Sequence, residues 1–199
     1  MDTLEKVDLQ KTDQAYYKAS LKPQILQFPD IGYIAISGKG SPDSHEFSLA
    51  IQTIYKVAYK LKNISKLNGR DFKVAKMEAF WWLQNGHDFE NTPKDQWLWQ
   101  ILIRMPEYIN EEDLKTAKTS LGDDQWINAT MWHIEPAGQF IHILHVGSYF
   151  NEKGSIENLM NHVKENHKTI AGHHREIYLT DPRKTSEEKL RTILMYRIQ

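Results

Sequence analysis

Ile31-Gly32-Tyr33-Ile34-Ala35-Ile36-Ser37-Gly38-Lys39-Gly40-Ser41-Pro42 is a β-branched apolar run that stops in a glycine-rich turn. It reads as a buried strand and its exit. Ser44 follows as an N-cap, and Phe47, Ile51, Ile54, Ala58 and Leu61 recur at helical spacing until Asn68-Gly69. A second stretch has the same order. Gln139 to Val146 is another apolar run, Gly147-Ser148-Tyr149 turns, and a helix follows from about Glu152 to Asn166 with the stripe Ile156, Leu159, Met160 and Val163.

Outward from these two centres the pattern continues to match. Pro23 to Phe28 precedes the first run as a short strand, and Trp126 to Ile134 precedes the second, joined to it by the turn Glu135-Pro136-Ala137-Gly138. Two strands follow each helix: Phe72 to Trp82 and Trp97 to Arg104 after the first, Arg175 to Leu179 and Leu190 to Ile198 after the second. Gln84 to Gln96 is a polar surface loop. Pro106 ends the fourth strand, and Glu111 to Leu121 is a short helix bearing Leu114, Ala117 and Leu121. The order strand, strand, glycine turn, helix, strand, strand thus occurs twice. It predicts an α+β fold made by duplication of a strand-helix-strand-strand repeat, with antiparallel sheets and a ligand groove at a pseudo-two-fold interface. An ordinary α+β domain with coincidental order is the alternative. The boundaries are a polar lead over 1–20, with a helical turn at Tyr16-Tyr17, and one domain over 21–199 in two repeats, about 21–106 and 124–199.

Composition limits function. The chain has 199 residues, 40% hydrophobic and 26% charged, with net charge −1 and an isoelectric point near 6.8. That balance offers no field for nucleic acid or anionic lipid, so neither is expected as a direct partner. Cysteine is absent, which removes disulfides, thiolate catalysis and cysteine-ligated metals. Met1 to Lys11 is polar, and no apolar run reaches membrane-spanning length, so a cytoplasmic location is expected.

Two stretches hold candidate chemistry. In Met77-Glu78-Ala79-Phe80-Trp81-Trp82, strand alternation puts Glu78 with Phe80 and Trp82, and Trp81 on the other face. Glu78 reads equally as a polar anchor in an apolar wall, its pKa raised by burial, or as an edge glutamate beside core tryptophans. In Arg175-Glu176-Ile177-Tyr178-Leu179-Thr180-Asp181-Pro182-Arg183, Glu176, Tyr178 and Thr180 share a face opposite Ile177 and Leu179. Spacing alone favours a solvated face there, since exposed charge is the default. The histidines give no convergent metal set: His142 and His145 fall on opposite strand faces, His162 and His167 miss helical spacing, and His173-His174 are adjacent. No metal and no cofactor are expected. A Gly-x-Ser-x-Gly elbow is missing, and Gly38-x-Gly40 lacks the rest of a dinucleotide fingerprint.

Taken in order, Gly38-Lys39-Gly40-Ser41-Pro42, Glu78-Ala79-Phe80-Trp81-Trp82, Trp97-Leu98-Trp99, His145-Val146-Gly147-Ser148-Tyr149 and His173-His174-Arg175-Glu176-Ile177-Tyr178-Leu179-Thr180-Asp181-Pro182-Arg183-Lys184-Thr185 resemble the stand-alone gyrase-inhibitor-like (GyrI-like) small-molecule-binding proteins, over roughly residues 20–198. The resemblance implies a fold related to the effector-binding domains of AraC-type and multidrug-sensing regulators. Their ligand sits between the repeats over aromatic residues, anchored by a strand glutamate that matches Glu176. Some stand-alone members hydrolyse cyclopropane-bearing, DNA-alkylating natural products. The chain departs from the family at Gly147-Ser148, where Gly-Pro is common, at Ala79, where Gly is, and at Tyr196-Arg197, where a proline is.

The resulting expectation is a protein holding a small apolar or aromatic molecule. Glu78, Phe80, Trp81, Trp82, Trp99, Trp132 and Tyr149 form the ligand wall. If the protein is an enzyme, Glu176 activates a water and Tyr178 or Tyr149 donates to oxygen as a strained ring opens. A non-catalytic binder or effector sensor, acting through a partner such as gyrase or a regulator, needs only the aromatic contacts. Homodimerisation would shield an exposed apolar groove.

Overall fold

The computed structural model describes residues 6–84, 86 and 89–199. The chain forms two compact units, one from Met1–Thr12 and Ile31–Glu135, the other from Asp13–Asp30 and Pro136–Gln199. Both are α+β with antiparallel sheets.

In the first unit, β2 (Ile31–Lys39), β3 (Met77–Trp82), β4 (Leu98–Arg104) and β5 (Met131–Glu135) form a sheet in the order β3-β4-β2-β5. Helix α3 (His45–Leu67) starts at Ser44, whose hydroxyl accepts from the Phe47 amide at 3.2 Å. It ends at Asn68, followed by Gly69 at φ +80°. Phe47, Ala50, Ile54, Val57, Ala58 and Leu61 are its buried stripe, packed on β2 and β4. Helix α4 (Glu111–Leu121) carries a capping box of Asn110 and Asp113. Helix α1 (Leu9–Thr12) is a single turn, and Val7 bridges to Phe72.

Two expected strands are shorter than the sequence predicts. Phe72 to Lys76 lies outside β3, because Phe72 pairs with Val7 instead of continuing the ladder with β4. Trp126 to Ala129 is helical, not extended. Asp124 accepts from the amides of Trp126 and Ile127 and so caps α5 (Gln125–Ala129), leaving β5 to begin at Met131. The expected loop over 84–96 contains a 3-10 turn at Lys94–Gln96; residues 85, 87 and 88 fall outside the described residues, as do residues 1–5 of the polar lead.

In the second unit, β1 (Gln24–Phe28), β6 (Gly138–Val146), β7 (His174–Tyr178) and β8 (Arg191–Ile198) form a sheet in the order β1-β6-β8-β7. Helix α6 (Lys153–Glu165) covers one face. There Ile141, Ile143, Leu159, Val163, Leu194, Tyr196 and Ile198 make the core. Across the opposite face, α2 (Gln14–Tyr17) brings Tyr16 against Phe28, and Phe28 packs on Phe140. Each unit thus has the strand, helix, strand, strand order, joined by one further strand from the neighbouring stretch of sequence: β5 pairs with β2, and β1 pairs with β6. No helix among the described residues is long and apolar enough to cross a membrane.

Candidate functional site

Strand β7 sets up the site. Its period of two places His174, Glu176 and Tyr178 on the α6 face, while Arg175 and Ile177 are buried on the other. The register with β8 puts Glu176 opposite Leu194 and Tyr178 opposite Thr192. From the helix side comes Glu152, which immediately precedes α6.

The loop that delivers Glu152 is fixed by a histidine. Gly147 has φ +124°, a conformation that favours glycine. After it, His145 Nε2 lies 3.0 Å from the Ser148 carbonyl, and its Nδ1 lies 3.0 Å from Ser155 Oγ. A carbonyl only accepts, so Nε2 carries the hydrogen and Nδ1 accepts from the serine. That ring ties the strand exit to the first turn of α6, and with it Tyr149 and Glu152.

At the centre, His174 Nε2 stands 3.2 Å from Glu176 Oε1 and 3.9 Å from Glu152 Oε2. His174 Nδ1 lies 2.8 Å from the Tyr196 hydroxyl. The three side chains are about nine-tenths buried, with 8% of Glu152, 10% of His174 and 12% of Glu176 exposed. Tyr149 meets Tyr178 edge-on at 5.8 Å between ring centroids. Burial, then the charge of Glu176, pushes the Glu152 carboxyl up to about 10. Burial first, then Glu176, Glu152 and Asp181, raises the Tyr149 phenol to about 12. Tyr196 is raised as well, by burial and the same two glutamates. The arrangement is a desolvated two-carboxylate centre with an imidazole between the acids and phenols around them.

Glu78, Phe80 and the four tryptophans singled out in the sequence lie in the first unit, on two faces of its sheet. Glu78, Phe80 and Trp82 share the face away from α3, with Leu102, Gln100 and Leu98 opposite them in register. Glu78 is fully buried, and Phe80 meets His133 edge-on at 6.3 Å. Trp81, Trp99 and Trp132 are on the α3 face. Trp81 and Trp99 pack on Phe47, at 5.2 and 5.1 Å between centroids, and Trp132 lies over Gly32. Of the residues singled out, Glu176, Tyr178 and Tyr149 are therefore brought together in the second unit. Glu78, Phe80 and Trp82 share one sheet face of the first. Glu152 and Tyr196 escape the sequence reading, which weighs His174 only as half of an adjacent pair unfit to chelate an ion, although it stands with Glu152 and Glu176. His174 is reachable by the alternation that puts it on the face of Glu176, whereas the approach of Glu152 and Tyr196 is tertiary.

No protein-family profile matches the chain, and no curated protein does. Among solved structures it is similar to an uncharacterized conserved protein from Listeria innocua, 28% identical, with TM-score 0.90 over 98% of this chain and all of that one. A Listeria innocua protein described as a hydrolase is 27% identical, with TM-score 0.86 over 98% of this chain and all of that one. The C-terminal domain of EcmrR is 12% identical, with TM-score 0.56 over 89% of this chain and 97% of that domain, a likeness of fold alone.

Proposed function

We propose that the protein is a GyrI-like small-molecule-binding protein and a hydrolase of strained, electrophilic apolar compounds. The observation that carries this reading is the carboxylate of Glu176 held beside His174 at 3.2 Å, mostly desolvated and flanked by Tyr149 and Tyr178. A carboxylate so placed serves as a general base on water. The hydrolase description of a 27% identical structure supports the choice of reaction class. The resemblance of the chain to the GyrI-like proteins supports the substrate class, cyclopropane-bearing alkylators.

Glu176 takes one proton from a water as the water oxygen bonds to the cyclopropane carbon. The ring C–C bond breaks, and its electron pair passes into the conjugated carbonyl. The carbonyl oxygen then takes a proton from Tyr178 or Tyr149, and the proton on Glu176 restores the phenol, so the net change is addition of one water. The Tyr149 phenol, raised to about 12, remains a protonated donor at neutral pH.

Incubation of the protein with a cyclopropane-bearing alkylator, followed by mass spectrometry, tests the reading. A product heavier by one water, formed over many turnovers, is expected. Compound recovered unchanged would reject the hydrolase and leave binding alone, acting through a protein partner.

A further inference from the structure

The residues around His174 also have the makings of a cation site. His174 and Glu176 are two apart on β7 and so point the same way, and Glu152 meets them from the start of α6. One ligand atom from each of the three lies within 4.8 Å of the others. Ligands bonded to one ion at about 2.0–2.2 Å stand roughly 3.0–3.5 Å apart. The 3.2 Å contact between His174 and Glu176 already meets that spacing, and the 3.9 Å contact to Glu152 needs only a small side-chain adjustment.

Two independent observations point to an occupant. The Glu152 side chain is 8% exposed, and its Oε1 is buried without a hydrogen-bond partner. A buried carboxylate oxygen in that state is costly unless something neutralises or coordinates it. Secondly, the far nitrogen of His174 is held at 2.8 Å by the Tyr196 hydroxyl. A phenol oxygen accepts as well as donates, so Nδ1–H can donate to Tyr196 and leave the Nε2 lone pair for an ion. Fixing a ligating imidazole through its second nitrogen is the usual outer support of a metal site.

We infer that Glu152, His174 and Glu176 bind a divalent transition-metal ion through one nitrogen and two carboxylate oxygens. The ion displaces the proton that burial keeps on Glu152, so that two carboxylates match its charge, and a mixed imidazole and carboxylate set suits zinc, manganese or cobalt. Three protein ligands leave at least one coordination position for water or another molecule, beside Tyr149 and Tyr178. Only one of the adjacent pair His173-His174 takes part, so the doublet needs no chelating geometry of its own. This goes beyond the proposed function and holds with or without turnover.

Titration of the untagged, chelator-stripped full chain with Co²⁺, followed by visible ligand-field absorption, tests the site without any substrate. One Co²⁺ per chain is expected. Tyr196→Phe, which leaves the three ligands in place, should weaken binding by about 10- to 100-fold, and Glu152→Gln should weaken it more. Near-ultraviolet circular dichroism checks that each variant is folded, and the Tyr196→Phe result stands if Glu152→Gln does not fold. Lack of ligand-field absorption, or affinity unchanged in both folded variants, would overturn the site. Turnover that persists in chelator while Co²⁺ fails to bind rejects the metal site alone, and Co²⁺ binding without turnover rejects the hydrolase alone.

Discussion

Tyr16 and Arg175 stand 159 residues apart in the chain, yet the guanidinium of Arg175 donates to the Tyr16 hydroxyl at 2.6 Å. Both residues are buried, at 0% and 1% exposure. The bond ties α2 to the strand that carries His174 and Glu176, on the sheet face opposite them. A hydrogen bond to a buried charge contributes about 1.5–3 kcal/mol. Tyr16→Phe should therefore lower the unfolding free energy by about that amount, read as a lower denaturation midpoint with an unchanged slope. A loss below about 0.5 kcal/mol would show that Arg175 is satisfied without this bond.

His142 predicts an acid limit to stability. It lies on β6 between Gln24 and Met195 in register, 1% exposed, with no hydrogen-bond partner at either ring nitrogen. Burial lowers its pKa from 6.5 to about 4. As the pH falls below about 6.5 the unfolded imidazole takes up a proton, while the folded one resists until about 4. Protons thus favour the unfolded chain, and stability falls through that window. Each pH unit of the gap is worth about 1.4 kcal/mol, so the loss reaches about 3 kcal/mol below pH 4. His142→Leu should remove this component. Denaturation midpoints of the two proteins, compared from pH 7 to pH 4, should diverge as the pH falls; parallel curves would exclude His142 as the cause.

Gly38 faces Trp99 across the β2–β4 register, and a Cβ built at Gly38 would overlap the ring atoms Cζ2 and Cη2. Trp99 has no room to yield, being fully buried and packed edge-on against Phe47. Gly38→Ala should cost about 1–3 kcal/mol, the usual range for overpacking. Combined with Trp99→Phe, the cost should be smaller than the sum of the two single changes, because the smaller ring removes the overlap. Strict additivity in that double-mutant cycle would refute the steric account.

The same register explains what the sequence makes legible. The Ser44 cap, the α3 stripe and the run through Ile34 and Ile36 depend on neighbours in the chain, and local periodicity reports them directly. Trp126 misleads because its aromatic surroundings resemble a strand, although Asp124 two residues earlier is a cap. Phe72 misleads because its partner is Val7, a pairing with no local signature. At the site, alternation only puts Glu176 and Tyr178 on one face, where spacing alone favours solvent and the resemblance to the GyrI-like proteins singles out Glu176; extended back one step, the same alternation reaches His174. Glu152 is different. Its meeting with His174 depends on where α6 starts and how the loop held by His145 turns, and both are settled by tertiary contacts.

Glu176 offers the sharpest functional contrast. Glu176→Gln keeps the shape of the side chain and its place on β7, so a neutral apolar ligand should bind within a few-fold of the wild-type affinity. Its amide cannot take a proton from water. If Glu176 is the base, turnover of a cyclopropane-bearing substrate should fall by about 10²- to 10⁴-fold. Tyr178→Phe separates the donor from the base, because it removes a hydroxyl while keeping the edge-on ring contact with Tyr149. A fall in turnover for Tyr178→Phe without loss of affinity would assign it the proton that the carbonyl oxygen receives. Full turnover in Glu176→Gln, measured beside titration by tryptophan fluorescence, would move the base elsewhere in the cluster and leave Glu176 a binding residue.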